Sequence, residues 1–369
     1  MYLDNAATTP LKSEVKDYII SLLDTYQNPS SMYQSGINAK QIITTARSNV
    51  AEFINTDLKD IIFTSGGSAS NILAIKGYAS IHDCIVYYSP LLHKSALKYI
   101  ETLYYNTEQL KVNHDGLIDI EDLEHRMSPL KYKPFVIIEY ANSEIGTIQN
   151  VKEIINIAHK FNGIVYLDCT GSIPTIPLNV KELNCDLAGF SAHKLGALKG
   201  TGVLYKKSSI KLEPLIYGSQ EQGLFGGTEN VIGIAALGKA VENYDYSSIT
   251  SNNRDYVYNY INTNILDSYL VGADLKHRLP HNLYICFKGV EGESLMTLLD
   301  MNNIQVSTGS ACTSGDLTPS STLIAINMNK EDINSCIRMS FSGNETKNEL
   351  NYLCKNLKKN IETLRQLNR

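Results

Sequence analysis

An α/β fold, with a mostly parallel sheet covered by helices on both faces and a smaller α+β domain beside it, is predicted for this chain by three observations. Short, near-continuous apolar runs recur between residues 61 and 205, and apolar residues at helical spacing lie between them. After about Asn243 the texture turns polar before a second, shorter unit begins. Strands that are apolar along their whole length are those buried on both faces, which requires helices on either side of the sheet.

In chain order, Pro10 opens a stretch with Leu11, Val15, Ile19, Leu22 and Leu23 at helical spacing, Pro being tolerated near a first turn. Residues 36–53 repeat the pattern through Ile42, Ile43, Ala46 and Val50. The strand runs are 61–63, 84–87, 135–138, 164–167, 187–190 and 203–205. A polar stretch, 244–253, leads to strand runs 283–287 and 337–341 and to a last helix over about 345–367. A chain of 369 residues exceeds what one core serves. The expected division is a large domain, 11–245, and a small one formed by 1–10 and 246–369.

Composition narrows the function classes. A formal charge of -5, without a Lys/Arg-rich stripe carrying interleaved aromatics, gives nucleic acid no field to bind. No apolar run approaches the roughly 20 residues that span a bilayer. Met1-Tyr2-Leu3-Asp4-Asn5 lacks the charged and apolar regions of a leader, so a cytoplasmic protein without membrane contact is expected. The seven cysteines are scattered and form no Cys-x-x-Cys pair, so no metal site is expected. Most of them read as small buried hydrophobes in a reducing compartment.

Chemistry concentrates where the apolar runs end. Phe190-Ser191-Ala192-His193-Lys194 closes one of them, ahead of the Gly-rich stretch 195–202. A Lys after Ser-x-His at the carboxyl end of a strand can be held in a cleft to form a Schiff base; a surface Lys is the plain alternative. Thr64-Ser65-Gly66-Gly67-Ser68 follows run 61–63 and precedes a helical stretch, so it is either a phosphate cradle or an ordinary strand-to-helix turn. Asp168 ends run 164–167, where an unpaired carboxylate is costly and calls for a cation such as a pyridinium nitrogen; a helix cap or a structural Asp is the other reading.

His93 follows run 84–87 and the Pro90 turn at the same sheet edge. It is placed to stack on a flat cofactor and move protons, or simply to start a helix. Ser307-Thr308-Gly309-Ser310-Ala311-Cys312-Thr313-Ser314-Gly315 is small and polar, which exposes Cys312 as a nucleophile or leaves it a passive loop residue. Arg338 puts a guanidinium on an otherwise apolar strand, suited to a bidentate carboxylate or to a structural salt bridge.

Taken with Tyr2-Leu3-Asp4-Asn5-Ala6-Ala7-Thr8-Thr9, Asn28-Pro29-Ser30-Ser31, Glu144-Ile145-Gly146-Thr147-Ile148-Gln149, Gly227-Thr228-Glu229-Asn230 and Ile337-Arg338-Met339-Ser340, these segments resemble a known family. From residue 2 to about 350 the chain is similar to the group I cysteine desulfurases of the class V aminotransferase superfamily, which are fold-type I pyridoxal-phosphate enzymes. The Ser310-Ala311-Cys312-Thr313-Ser314 loop separates desulfurases from most transaminases of that superfamily.

The resemblance implies pyridoxal 5'-phosphate on Lys194, Asp168 at its pyridine nitrogen, and His93 stacked on the ring as the acid-base group. It implies Gly67, Ser68, Ser191 and His193 round the phosphate, with Thr228 reaching the site from the other subunit of a homodimer. Ser143 and Gly171 stand at positions that face the ring, and Asn5 and Arg338 would bind substrate, Arg338 through its carboxylate. Cys312 would take the sulfur of L-cysteine as a persulfide, leave L-alanine, and pass the sulfur to an acceptor protein. That acceptor could be an iron-sulfur scaffold, a tRNA-thiolation protein or a pathway enzyme.

The chain departs from the family pattern at several positions. Ser143 stands where the second Asn of Asn-Asn-Glu-Ile-Gly is usual, and Gly171 where Asp-x-x-Gln has its Gln. Ala69 replaces a usual Glu, and Gln222 and Phe225 replace residues of Glu-Arg-Gly-x-Arg-x-Gly-Thr. Losing the Gln donor is expected to alter the cofactor's titration, with the Ser143 hydroxyl a possible substitute. Two other readings keep the cofactor: a transaminase, selenocysteine lyase or β-lyase with Cys312 a loop residue, and a weakly catalytic sulfur-relay partner.

Overall fold

The computed structural model describes residues 1–103, 107–128, 132–308 and 319–367, so Cys312 and the rest of its loop lie outside the described residues. Seven strands form the larger sheet: β1 Ile61–Thr64, β2 Cys84–Tyr88, β3 Thr107–Gln109, β4 Lys133–Glu139, β5 Ile164–Asp168, β6 Leu187–Ser191 and β7 Gly202–Lys206. Their order is β1-β7-β6-β5-β4-β2-β3. The pairs β6-β5, β5-β4, β4-β2 and β2-β3 are parallel, while β7 runs antiparallel to both of its neighbours.

Successive residues of β4 go to opposite cores. Val136 and Ile138 pack in one apolar cluster and Phe135 and Ile137 in another, and all four are fully buried. This is the two-faced burial that makes the strand apolar throughout.

The smaller sheet holds β8 Ser268–Leu270, β9 Asn282–Phe287, β10 Ser307–Thr308 and β11 Cys336–Ser340 in the order β10-β11-β9-β8, all antiparallel. Leu283, Ile285 and Phe287 pack with Leu353, Leu357 and Ile361 of the helix Lys347–Leu367. The N-terminus joins this sheet through bridges between Tyr2 and Gln305 and between Asp4 and Ser340. Its opposite face, with Tyr284 and Cys286, meets Leu91 and Ile145 of the larger unit.

The fold class is the expected one, with differences of detail. The first helix is Ser13–Leu22, so Pro10 lies ahead of it, and β3, β8 and β10 were not foreseen because short, partly exposed strands carry little apolar signal. The polar stretch 244–253 is not a free linker. Tyr244 and Tyr246 pack on Phe53 with ring centroids 5.4 and 5.8 Å away, and their hydroxyls donate to the carbonyls of Pro174 and Ile173 at 2.8 Å. Among the described residues no helix is long and apolar enough to cross a membrane, and no group of three His, Cys, Asp or Glu side chains is arranged to hold a metal ion.

Candidate active site

Strands β1, β2, β4, β5 and β6 all end at one edge of the larger sheet. The residues just past those ends line a cavity of about 810 Å³ that is closed on the other side by Met296, Ser307 and Arg338 of the smaller unit. The carboxyl edge of an open α/β sheet is where such folds place ligands.

At the end of β6 the chain tightens into the 3-10 turn Ala192–Lys194, which turns Lys194 into the cavity. Its Nζ donates to the backbone carbonyl of Ala6. Burial, followed by the Arg338 charge, lowers its pKa to about 8. An amine so placed is partly neutral near physiological pH, which is what a Schiff-base nucleophile requires.

On the neighbouring strand Asp168 is 5% exposed. Its Oδ1 accepts from the Thr170 N–H at 3.0 Å and its Oδ2 from Asn71 Nδ2 at 2.9 Å. Among the described residues no Lys or Arg lies within ion-pair distance of it. A buried carboxylate supported by neutral donors alone can accept a cationic ring nitrogen.

The helix Gly67–Ala79 starts beside these two strand ends. A Cβ on Gly67 would stand 2.9 Å from Thr170 Oγ1, so any larger residue would crowd the Thr170 side chain at the start of this helix. Ser68 is exposed at the cavity wall, and Ser191 Oγ is buried without a hydrogen-bond partner among the described residues. His193 Nδ1 lies 3.0 Å from Thr8 Oγ1, and burial, with the charges of Lys194 and Lys199, lowers its pKa to about 4. An orphaned hydroxyl, an open glycine turn, a depressed amine and an unpaired carboxylate in one cavity fit a phosphorylated aldehyde with a basic ring nitrogen.

His93 caps the helix Lys94–Ile100, its ring accepting from the Ser95 N–H. Ser143 lines the cavity, and its carbonyl accepts from Arg338 Nη1 at 3.2 Å. Arg338 Nη2 is paired with Asp4 Oδ1 at 2.7 Å, so the structural salt bridge is present and a substrate carboxylate would have to share this guanidinium. Asn5 does not line the cavity; its Nδ2 donates to the Ser340 carbonyl at 2.8 Å and holds the N-terminus on β11. Thr228 is exposed ahead of the helix Val231–Val241 and does not line the cavity of its own chain.

A Cβ on Gly171 would stand 2.9 Å from the Ala141 carbonyl and 3.2 Å from Ser143 Cβ. The loop has closed over the volume that a longer side chain would need, so a Gln could not be restored here without moving backbone. At another departure, Gln222 turns away and donates to the Lys59 carbonyl at 2.6 Å, while its neighbour Glu221 is clamped by Arg47 at 2.6 Å.

Sequence reasoning missed Glu139, Asn71 and Ser95. Glu139 ends β4 and is the register partner of Asp168, the same strand-end signal that picked out Asp168 itself. It is 4% exposed, accepts from Gln149 Nε2 at 3.2 Å through Oε1, and its Oε2 has no partner among the described residues. Burial, with the Asp168 charge adding to it, raises its pKa to about 7.

The sign follows from that direction. The folded protein binds this proton more tightly than the unfolded chain, so the stabilisation is complete at acid pH and is lost as pH rises from the ordinary carboxylate range through 7. Glu139→Gln is therefore expected to flatten the fall in unfolding free energy between pH 5 and 8, by up to about 3 kcal/mol. Denaturant titrations at several pH values measure this. Parallel wild-type and variant curves would exclude a buried, protonated Glu139.

Residues 1–353 match the family described as Aminotransferase class-V. The chain is 38% identical over 381 residues to the cysteine desulfurase IscS of Dictyoglomus turgidum, covering 100% of this chain and 96% of that protein. It is 34% identical over 383 residues to the cysteine desulfurase IscS of Clostridium botulinum, with the same coverage. Among solved structures, a NifS-like protein from Rickettsia africae superposes with a TM-score of 0.89 at 30% identity, covering 98% of this chain and 99% of that one. A protein described as SspA in complex with cysteine superposes with a TM-score of 0.81 at 28% identity, covering 94% and 99%.

Proposed function

The chain belongs to the aminotransferase class-V family and is a cysteine desulfurase, and from that premise we propose that Lys194 holds pyridoxal 5'-phosphate in the cavity while Cys312 takes the sulfur of L-cysteine. The observation that carries this reading is the pairing of a buried amine lowered to about 8 with a buried carboxylate on the adjacent strand end that has no Lys or Arg ion-pair partner among the described residues.

In this reading Asp168, which accepts from Asn71 Nδ2 and the Thr170 N–H, would be the partner of the cofactor's ring nitrogen and would hold a proton there. Ser191 Oγ and the turn at Gly66, Gly67 and Ser68 would hold the phosphate, with His193 beside them as a neutral ring. When bound, the cofactor supplies an electron sink for a carbanion next to it. Lys194 Nζ moves the substrate's α-proton, and Arg338, released in part from Asp4, orients the substrate carboxylate.

The Cys312 thiolate attacks the cysteine sulfur. A sulfur-sulfur bond forms as the carbon-sulfur bond breaks, the electron pair of the broken bond stays with the substrate's β-carbon, and that carbon takes up a proton, leaving L-alanine and a Cys312 persulfide. An acceptor protein then takes the outer sulfur, iron-sulfur cluster assembly being one such destination. The six cysteines among the described residues are free thiols.

A homodimer is part of the proposal. Tyr26 and Met32 are each 87% exposed and Tyr217 is 75% exposed, which are large apolar surfaces for a lone chain. Ile216 bridges to Phe225 directly ahead of Thr228, so a partner covering this segment would receive Thr228 at its own site. Residues 11–245, and 1–10 with 246–369, would then act as the two units that close on substrate.

Incubation with L-cysteine, pyridoxal phosphate and a thiol reductant tests the activity. Equal amounts of alanine and sulfide are expected. Pyruvate with sulfide would favour the β-lyase reading, and the absence of both would favour a relay protein.

A further inference from the structure

The ring of His93 is held by its Nδ1. That nitrogen accepts from the backbone N–H of Ser95 at 3.2 Å and lies 2.8 Å from Ser95 Oγ. A backbone N–H can only donate, so Nδ1 meets it with a lone pair and not a proton. The hydroxyl agrees, because Ser95 Oγ already accepts from Asn71 Nδ2 at 3.2 Å, which leaves its O–H to point at the ring.

Asn71 is oriented in turn. Its Oδ1 accepts from the Tyr166 hydroxyl, and its Nδ2 donates to Asp168 Oδ2 at 2.9 Å as well as to Ser95. Both amide hydrogens are then used, and the donor direction runs without a break from Asn71 through Ser95 to His93.

We infer that Asn71 and Ser95 are positioning residues that keep neutral His93 in the tautomer protonated at Nε2, so that the ring gives a proton to the cleft and does not take one from it. The inference rests on the proposed desulfurase reading, in which His93 handles protons. It divides that labour: His93 donates through Nε2, and proton removal falls to Lys194, a basic side chain turned into the same cavity at the end of β6.

Nitrogen-15 spectra of histidine-labelled holoenzyme and apoprotein, recorded where the ring is neutral, read the tautomer directly. The His93 signals are assigned by their loss in His93→Gln. In the wild type the proton is expected on Nε2. Ser95→Ala keeps the backbone N–H and loses the hydroxyl at 2.8 Å, the shorter of the two contacts, so part of the population should move to the tautomer protonated at Nδ1, and alanine formation should fall by about 3- to 10-fold, the effect of one misplaced hydrogen bond. Ser95→Thr, which keeps the hydroxyl, should restore both.

A wild-type ring protonated at Nδ1 overturns the inference, as does Ser95→Ala with wild-type tautomer and rate. Wild-type turnover in His93→Gln overturns the donor role. If the wild type makes no alanine at all, the desulfurase reading fails instead, while the ring spectra still decide the tautomer.

Discussion

Lys194→Ala is expected to lower alanine formation from L-cysteine by at least about 1000-fold, the combined loss of a nucleophile and a general base. It should also leave no pyridoxyl group attached after borohydride reduction. The amine sits at the end of β6, beside the orphaned Ser191 hydroxyl and across from Asp168, and its pKa of about 8 comes from burial and from Arg338. Lys194→Arg should fail equally, because a guanidinium stays charged and cannot form the bond. Peptide mapping of the reduced wild type decides the assignment, and a label on any other Lys would sink it.

Cys312→Ala is expected to bind pyridoxal phosphate with unchanged occupancy and yet to form neither persulfide nor alanine from L-cysteine, with turnover down by about 100-fold or more. Cofactor retention draws on Lys194, Asp168 and the turn at Gly67, all carried by the larger sheet and its neighbouring helix, whereas Cys312 belongs to the segment that follows β10. Undiminished alanine would move the protein to the lyase or transaminase reading. Loss of cofactor would show Cys312 to be structural.

How much of this was legible depended on the range of the interaction. The central strands were legible because burial on both faces makes a run apolar without interruption, and Phe135, Val136, Ile137 and Ile138 are each fully buried. The edge strand Thr107–Gln109 was not, since its residues are half-buried or exposed and polar. Tyr244 and Tyr246 looked like linker residues because their partners, Phe53, Pro174 and Ile173, are far away in the chain.

By itself the sequence determined that Lys194, Asp168 and His93 follow strand ends at one sheet edge, because strand periodicity and punctuation are local properties that any stretch of chain displays. Only the tertiary structure decided what those groups meet there. Arg338 reaches Asp4 across 334 positions, Asn71 reaches Asp168 across 97, and Glu139 comes to lie beside Asp168 through strand register. It also closed the loop at Gly171 against the Ala141 carbonyl, which leaves no space for the Gln that is usual at this position in the family pattern. Such pairings depend on distances between remote segments, and these exist only once the sheet and the N-terminal segment have packed together.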